Sequence, residues 1–253
     1  MDLGLKGKTA LITGANHGLG VAISRCLAAE GANIVLNYVA DKEVAIDFAN
    51  ELESKYDIKA EAFYADISKE NDVNLMIKNA VSKFKKINIL INNAAISPTS
   101  LVKDTLIEDW NKTIQINLTG IFLTSKHIVN HLIENKIKGR IVNIASTAAF
   151  AGSTSGRAHY DASKGGVISF TFSLAREVGG YGINVNAIAP GMMMTEMTRE
   201  RLLANKEKYL SNIPLNRFGE IEEIANVAVF LASDKSSYMT GAVVNISGGL
   251  QMR

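Results

Sequence analysis

The sequence predicts a single α/β domain, residues 1–253, in which helices cover both faces of a doubly wound parallel β-sheet. Seven apolar runs rich in β-branched residues alternate with longer segments whose apolar residues recur at helical spacing. The runs are apolar throughout, which is typical of parallel strands buried on both faces. With 253 residues and 47% hydrophobic content, the chain is long enough to bury such a sheet.

Each run has the length of one strand, and the segments between the runs have helical patterns. In chain order, the predicted strands are Thr9 to Thr13, Asn33 to Asn37, Ala60 to Tyr64, Ile87 to Asn92, Arg140 to Ile144, Ile183 to Ala189 and Ala242 to Ile246. Right-handed crossovers then join parallel strands. Ligands of such sheets bind beyond the carboxyl ends of the strands, so we expect the functional residues in the loops that follow them.

The composition argues against several classes of partner. The 27 basic and 25 acidic residues nearly cancel and form no long run of one sign, so we predict neither a nucleic-acid partner nor a membrane partner. The N-terminus leads into the first strand without a signal peptide, and no segment resembles a membrane span, so we expect a cytoplasmic protein. Cys26 shares a helical stripe with Leu19, Ala22 and Ile23, which indicates core packing, with a reactive thiol as the alternative.

A glycine-rich loop connects the first predicted strand to the first predicted helix. It reads TGANHGLG from Thr13 to Gly20. Glycines at such a turn permit a tight bend and let a pyrophosphate approach the helix N-terminus. The position between a strand and a helix makes the pattern more specific than an isolated glycine match, and it predicts a dinucleotide site.

Tyr160 and Lys164 form a second motif, in the segment YDASK. Small and apolar residues recur at helical spacing from His159 to Val178, so the two side chains project from one face of a predicted helix. An ammonium about 5 Å from a phenol favours the phenolate by roughly 3 kcal/mol, which suits acid-base chemistry. The alternative is a half-buried tyrosine beside a solvated lysine.

The segment of about residues 191–214 is the least regular part of the chain. It follows a Pro-Gly turn and carries Met192, Met193, Met194, Met197 and Leu202. Flexible apolar side chains suit a lid over a substrate pocket, and they suit a helix packed on the core equally well.

Several motifs, in one order along the whole chain, resemble the short-chain dehydrogenase/reductase family, whose fold is Rossmann-type. They are the TGxxxGxG loop, NNAA from Asn92 to Ala95, Ser146 after the fifth strand, the YxxxK pair, and Pro190-Gly191 after the sixth strand. The resemblance implies an oxidoreductase that interconverts a secondary alcohol and a ketone by hydride transfer with NAD(P)(H).

The resemblance also implies four catalytic residues. Tyr160 would be the acid-base, Lys164 would lower its pKa and hold the nicotinamide ribose, and Ser146 would orient the substrate oxygen. Asn117 matches the asparagine that bends a helix and whose backbone carbonyl helps to place a water for proton relay. The residues alone also allow Ser146 as a turn residue and Asn117 as a residue bonded to its own helix.

The implied dinucleotide contacts lie mostly in the loops after the strands, and no metal ligands are implied. These contacts are Gly14, Asn16, His17, Gly18, Leu19, Gly20, Asn37, Tyr38, Asp66, Ile67, Asn93, Ala94, Tyr160, Lys164, Pro190, Gly191, Met193 and Thr195. For Asp66, a helix cap is the alternative.

The end of the second strand bears on the choice of dinucleotide. An acidic residue there would bind a ribose 2′-hydroxyl and repel a 2′-phosphate, but the stretch from Leu36 to Val39 reads LNYV. We therefore favour NADP(H), with NAD(H) possible because the arginines common in NADP-dependent members are missing at positions 17 and 39. Lys42 and His17 are candidate phosphate contacts, although His17 equally suits a packed loop.

The substrate is less clearly indicated. Motifs near the C-terminus resemble the branch that contains 3-oxoacyl-[acyl-carrier-protein] reductases and many sugar, alcohol and steroid dehydrogenases. Where the carrier-protein enzymes have arginines, this chain has Ile137 and Tyr181, with Lys136 and Lys138 nearby.

We therefore rank a small-molecule or steroid-like carbonyl substrate above acyl carrier protein, which remains the alternative. The resemblance also implies a homotetramer. A non-catalytic dinucleotide-binding sensor or scaffold is the alternative from another class.

Overall fold

Seven parallel strands form the centre of the computed structural model, which describes residues 2–153 and 156–252. They are Thr9–Ile12 (β1), Asn33–Tyr38 (β2), Ala60–Tyr64 (β3), Ile89–Asn92 (β4), Gly139–Ile144 (β5), Ile183–Pro190 (β6) and Val243–Ile246 (β7). Their order across the sheet is β3-β2-β1-β4-β5-β6-β7, and every neighbouring pair is parallel. The predicted fold class is confirmed, and each predicted strand overlaps an observed one.

Helices connect the strands. The α-helices of the described ranges are Gly18–Ala29 (α1), Lys42–Tyr56 (α2), Glu70–Phe84 (α3), Ile107–Ile114 (α4), Gly120–Glu134 (α5), Ala148–Ala151 (α6), Ala158–Val178 (α7), Glu196–Ala204 (α8), Lys206–Leu210 (α9) and Ile221–Ala232 (α10). A π-helical turn, Gln115–Thr119, joins α4 to α5. Within the part of the chain that the structure describes, no helix is long and apolar enough to cross a membrane.

Each face of the sheet has its own apolar core. Ala10 and Ile12 of β1 belong to a cluster with α1, α2 and α10, whereas Leu11 belongs to a second cluster with α3, α5 and α7. Successive side chains of a strand point to opposite faces, so a strand covered on both sides has no place for a solvated residue. This arrangement explains why the strand sequences are mainly apolar.

A buried chain of amides and hydroxyls ties β4 and β5 to the helices behind them. Nδ2 of Asn92 donates to Oδ1 of Asn143 at 2.8 Å, and Nδ2 of Asn143 donates to Oγ1 of Thr171 at 2.9 Å. Thr124 donates to Oδ1 of Asn92 at 2.6 Å. All four side chains are buried, and their mutual bonds satisfy polar groups that water cannot reach. The network positions the ends of β4 and β5 against α5 and α7.

Cys26 lies partly buried against the first core, as its helical stripe predicted. Burial raises the pKa of its thiol, and the carboxylates of Glu222 and Glu30 raise it further. A raised pKa keeps the thiol protonated at neutral pH, which agrees with a packing role.

The segment after β6 folds into a small lobe with its own apolar cluster. Leu202 of α8 is buried with Ile213 and Phe218, and Met192 and Met194 pack against them. Oγ1 of Thr198 accepts from the backbone N–H of Thr195 at 3.0 Å and so caps the start of α8. The Met197 side chain lies outside the described part. The lobe therefore contains helices that pack around a small apolar cluster of their own.

Candidate active site

The carboxyl ends of the strands surround a cavity of about 1000 Å³. Its walls come from the loops that follow β1, β4, β5 and β6, and the lobe after β6 covers one side. This volume is at the upper end of the range for ligand sites, as a site for two ligands requires. The cavity lies where the parallel topology predicted the functional residues.

Three glycines shape the loop after β1. Gly14 has φ +59°, and a Cβ there would lie 3.0 Å from Cα of Ala94. At Gly20 a Cβ would overlap the carbonyl oxygen of Gly14. Gly18 has φ +49° and open space where its Cβ would be, so it offers a free backbone surface to the cavity. The first and third glycines permit close packing, and the second leaves room for a ligand.

The first turn of α1 also contributes to the cavity wall. Gly18 and Leu19 open the helix and line the cavity, and His17 precedes them without a side-chain cap on the helix N–H groups. Uncapped N–H groups at the positive end of a helix suit an anion. The glycine loop and the first turn of α1 therefore fit the pyrophosphate of a dinucleotide.

Asn37 and Tyr38, at the end of β2, have structural roles. Nδ2 of Asn37 donates to the carbonyl oxygens of Ala65 at 2.9 Å and Tyr38 at 3.3 Å, which occupies both amide hydrogens. Its Oδ1 accepts from N of Gly14 at 3.3 Å. Tyr38 is buried edge-on against Tyr64, with ring centroids 6.0 Å apart, and lies outside the cavity wall. The Tyr38 ring thus packs on Tyr64, and a dinucleotide contact of this residue stays a prediction.

Asp66 lines the cavity within a tight turn. Its Oδ1 accepts from N and Oγ of Ser68 at 3.0 and 2.6 Å, and Nζ of Lys69 lies 3.5 Å from Oδ2. Burial alone would raise the pKa of this carboxyl, but the bonds from Ser68 and the charge of Lys69 outweigh it and lower the pKa. The residue that precedes α3 is Lys69, so Asp66 is not the helix cap. Ile67 lies beside it in the cavity wall.

His17 faces an acidic residue that the sequence analysis missed. Its Nε2 lies 2.9 Å from Oδ2 of Asp41. Nδ2 of Asn16 donates to the carbonyl oxygen of Ala40 at 2.9 Å, so two contacts join the loops after β1 and β2. Asp41 follows the stretch that ends at Val39, and only the fold shows that its carboxylate reaches the glycine loop.

Tyr160 and Lys164 lie on one face of α7, as their spacing predicted. Nζ of Lys164 is 5.7 Å from the centroid of the Tyr160 ring. Ser146 shares the cavity wall with both residues, and its Oγ also accepts from N of Ala148 at 3.1 Å. Ser146 is therefore both a turn residue and a cavity residue.

Lys164 is almost completely buried, at 2% exposure. Its Nζ donates to the carbonyl oxygen of Ile144 at 2.7 Å. Burial lowers the pKa of the ammonium to about 8, so it is still mainly protonated at pH 7. The alternative of a solvated lysine is wrong, because α7 packs this face against the sheet.

Asn117 lies in the π-helical turn and is fully buried. Its Oδ1 accepts from N of Ile96 at 2.8 Å, and its Nδ2 donates to O of Ile96 at 2.9 Å and Oγ of Ser163 at 3.1 Å. The side chain thus ties the loop after β4 to α7 beside Lys164. It lies outside the cavity wall, and its bonds run to neighbouring elements rather than along its own helix.

Most of the predicted site residues meet in this one cavity. Those in its wall are Gly14, Asn16, His17, Gly18, Leu19, Asn37, Asp66, Ile67, Asn93, Ala94, Ser146, Tyr160, Lys164, Pro190, Gly191, Met193 and Thr195. Gly20, Tyr38 and Asn117 are buried and lie outside the wall.

The wall also contains residues that the sequence analysis did not select, including Ser97, Lys112, Arg157 and Gln251. Cζ of Arg157 lies 5.5 Å from the Tyr160 ring centroid. The spacing of residues 157, 160 and 164 on one helical stripe was an available signal for Arg157. The others carry no local signal, because only the fold brings them to the cavity.

Comparisons with known proteins agree with this geometry. A family model described as enoyl-(acyl carrier protein) reductase matches residues 14–251. Proteins named 3-oxoacyl-[acyl-carrier-protein] reductase from Staphylococcus epidermidis and Aquifex aeolicus are each 38% identical, over 97% and 99% of this chain and 99% and 100% of their own length. A Synechocystis protein of the same name is 40% identical over 98% of both chains.

The fold, the glycine loop and the Ser146, Tyr160 and Lys164 arrangement define a dinucleotide-dependent oxidoreductase. The chain belongs to the short-chain dehydrogenase/reductase family. The predicted enzyme class and its dependence on NADP(H) or NAD(H) are confirmed.

The burial of Lys164 predicts that stability rises with pH. Its pKa is about 8 in the folded chain against the ordinary 10.5, so between these values the unfolded chain binds more protons. Relative to Lys164→Met, the free energy of unfolding of the wild type should increase by on the order of 3 kcal/mol across this window. Urea denaturation without dinucleotide measures it. Lys78→Met, at an exposed lysine, is the matched control, and parallel curves for wild type and Lys164→Met would contradict the prediction.

Proposed function

We propose that the chain is an NADPH-dependent reductase of 3-oxoacyl thioesters carried by acyl carrier protein. The observation that carries the proposal is the 38–40% identity, over 97% or more of the chain, to proteins of that name. This reverses the ranking made from the sequence, which placed a small-molecule or steroid-like ketone first. The presence of Ser146, Tyr160 and Lys164 in one cavity argues against a non-catalytic sensor.

The polar side chains around Tyr160 each have a role in such a reduction. The dinucleotide, when bound, supplies a hydride to the carbonyl carbon. The Tyr160 phenol donates its proton to the carbonyl oxygen, and the Ser146 hydroxyl donates a hydrogen bond that orients the same oxygen. The Lys164 ammonium stabilises the phenolate and keeps donors for a ribose hydroxyl beyond the one that Ile144 accepts. Asn117 positions α7 through Ser163.

The basic residues considered for carrier-protein binding lie at the other edge of the sheet. Lys136 and Lys138 precede β5, and Tyr181 precedes β6, whereas the cavity adjoins the carboxyl ends of these strands. A strand as long as β5 spans roughly 20 Å. The two lysines therefore do not reach the cavity of their own chain. The homotetramer and the cytoplasmic location remain parts of the proposal.

A panel of substrates tests the function. With NADPH, kcat/KM should be highest for a 3-oxobutyryl carrier-protein thioester and lower for a steroid ketone and for an enoyl thioester, the substrate class that the family description names. Tyr160→Phe should lower kcat by about 10²- to 10⁴-fold and leave dinucleotide affinity nearly unchanged, because the ring still packs but no proton moves. Tyr238→Phe, at a fully exposed tyrosine, is the control.

Preference for the steroid ketone would restore the first ranking, and preference for the enoyl thioester would assign reduction of a carbon–carbon double bond. Dinucleotide binding without turnover of any substrate would support the sensor.

His17 and Asp41 bear on the dinucleotide preference. We propose that NADP(H) is favoured modestly, because no acidic residue occupies Leu36 to Val39 and His17 lies in the cavity wall. A 2′-phosphate near His17 would meet the Asp41 carboxylate, which already contacts Nε2. The nearby carboxylate weakens the attraction for a phosphate.

Replacement of Asp41 should therefore sharpen the preference. Asp41→Asn removes one negative charge, and asparagine tolerates the left-handed backbone at φ +54°. The ratio of kcat/KM for NADPH to that for NADH should rise by about 5-fold, near 1 kcal/mol. Asp57→Asn, at the other end of α2 with φ +51°, is the matched control. An unchanged ratio, or a shift towards NADH, would contradict the prediction.

We also propose that the lobe of about residues 191–214 closes over bound substrate and dinucleotide. Met192, Met193 and Leu202 line the cavity while belonging to this lobe. Bound dinucleotide should increase hydrogen-exchange protection of residues 192–212, with α2 as the internal reference. Equal hydrogen-exchange protection of these residues with and without dinucleotide would contradict closure and would mean that the lobe is a static part of the cavity wall.

A further inference from the structure

Two polar atoms of the cavity wall have no task in the reduction described above. Nε of Arg157 and Oγ of Ser97 are buried and have no hydrogen-bond partner among the residues that the structure describes. Both residues line the cavity. A buried polar group left unpaired costs about 1–3 kcal/mol, so native proteins pair nearly all of them. Two such atoms in one wall point to a ligand that brings the missing acceptor.

The loops that carry these residues touch each other. N of Ser100 donates to O of Gly156 at 2.7 Å. A Cβ at Gly156 would lie 2.9 Å from the carbonyl carbon of Ser100, and its φ of +70° also favours glycine. The loop after β4 therefore rests on the loop before α7. This contact joins the segments that carry Ser97 and Arg157, and both residues line the same cavity.

Arg157 lies on the opposite side of Tyr160 from Lys164. Residues 157, 160 and 164 follow one helical stripe, and the two cationic groups are 5.5 and 5.7 Å from the same ring centroid. Lys164 is bonded to Ile144 inside the sheet, whereas Arg157 precedes α7 at its outer end. A substrate that reacts at Tyr160 with the dinucleotide on the Lys164 side extends past Arg157.

We propose that Arg157 and Ser97 bind a second oxygen of the substrate, carried by the carbon β to the reacting ketone, and so select 1,3-dicarbonyl compounds. The inference rests on the proposed reduction of a ketone at Tyr160. A guanidinium is a permanent cation with several donors, and it binds carbonyl and carboxylate oxygens. In a 3-oxoacyl thioester the second oxygen is the thioester carbonyl, and in a 3-oxo acid it is a carboxylate. A plain ketone lacks it.

The test compares substrates with and without this oxygen. We would measure kcat/KM with NADPH for the N-acetylcysteamine thioester of 3-oxobutanoate, for 3-oxobutanoate itself and for 2-pentanone. The wild type should prefer the two substrates that carry the second oxygen. Arg157→Met should lower kcat/KM for the preferred substrate by about 10- to 150-fold, and Ser97→Ala by about 2- to 10-fold, with a much smaller change for 2-pentanone.

Arg176→Met is the matched control, because it removes an exposed arginine from the same helix. If Arg157→Met does not fold, Ser97→Ala carries the test, since it removes a single hydroxyl. If Arg157→Met lowers kcat/KM equally for 2-pentanone and for the preferred substrate, the inference would be overturned, because Arg157 would then act through Tyr160. A wild type without preference for the second oxygen would overturn it too.

The inference and the proposed function fail separately. Arg157-dependent reduction of 3-oxobutanoate without reduction of the thioester would support the second-oxygen site and overturn the thioester assignment. If the wild type reduces the thioester, but Arg157→Met lowers kcat/KM equally for the thioester and for 2-pentanone, the proposed function would be supported and the second-oxygen site overturned.

Discussion

The contact between the loops after β1 and β4 holds the rest of the site in place. Oγ1 of Thr13 accepts from N of Asn93 at 2.9 Å and N of Ala94 at 3.0 Å. Nδ2 of Asn93 donates to the carbonyl oxygens of Thr13 and Gly14, each at 3.0 Å. β1 and β4 are neighbours where the strand order reverses, so this contact sets the position of α1 relative to the other cavity loops. The approach is so close that a side chain at Gly20 would collide with the loop.

The buried Lys164 links the stability of the fold to its chemistry. Removal of an ammonium from water costs free energy, and one carbonyl at 2.7 Å offsets only part of that cost. The part of the desolvation cost that is not offset appears as the lowered pKa of the ammonium. The packing of α7 on the sheet and the Asn117 bridge to Ser163 hold the lysine there. Tyr160 thus faces a poorly hydrated cation, whose field is less screened than that of a surface lysine.

Basic side chains lie in several parts of the cavity wall. His17 lines the cavity beside the glycine loop, Lys164 lies near Tyr160, and Arg157 and Lys112 lie elsewhere in the wall. The net charge of +2 gives no sign of this concentration, because it is spread over 27 basic and 25 acidic residues. An anionic dinucleotide and a substrate rich in carbonyl oxygens both suit such a cavity.

The sequence by itself determined the sheet, the glycine loop and the Tyr160–Lys164 pair, because each depends on residues close together in the chain. Strand burial, tight turns and i, i+4 contacts are local consequences of residue type and spacing. Only the tertiary structure decided that the Tyr38 ring packs on Tyr64, that Asp41 reaches His17 and that Lys164 is buried. Strand register, loop contacts and helix packing determine these outcomes. They depend on groups far apart in sequence, so no local pattern encodes them.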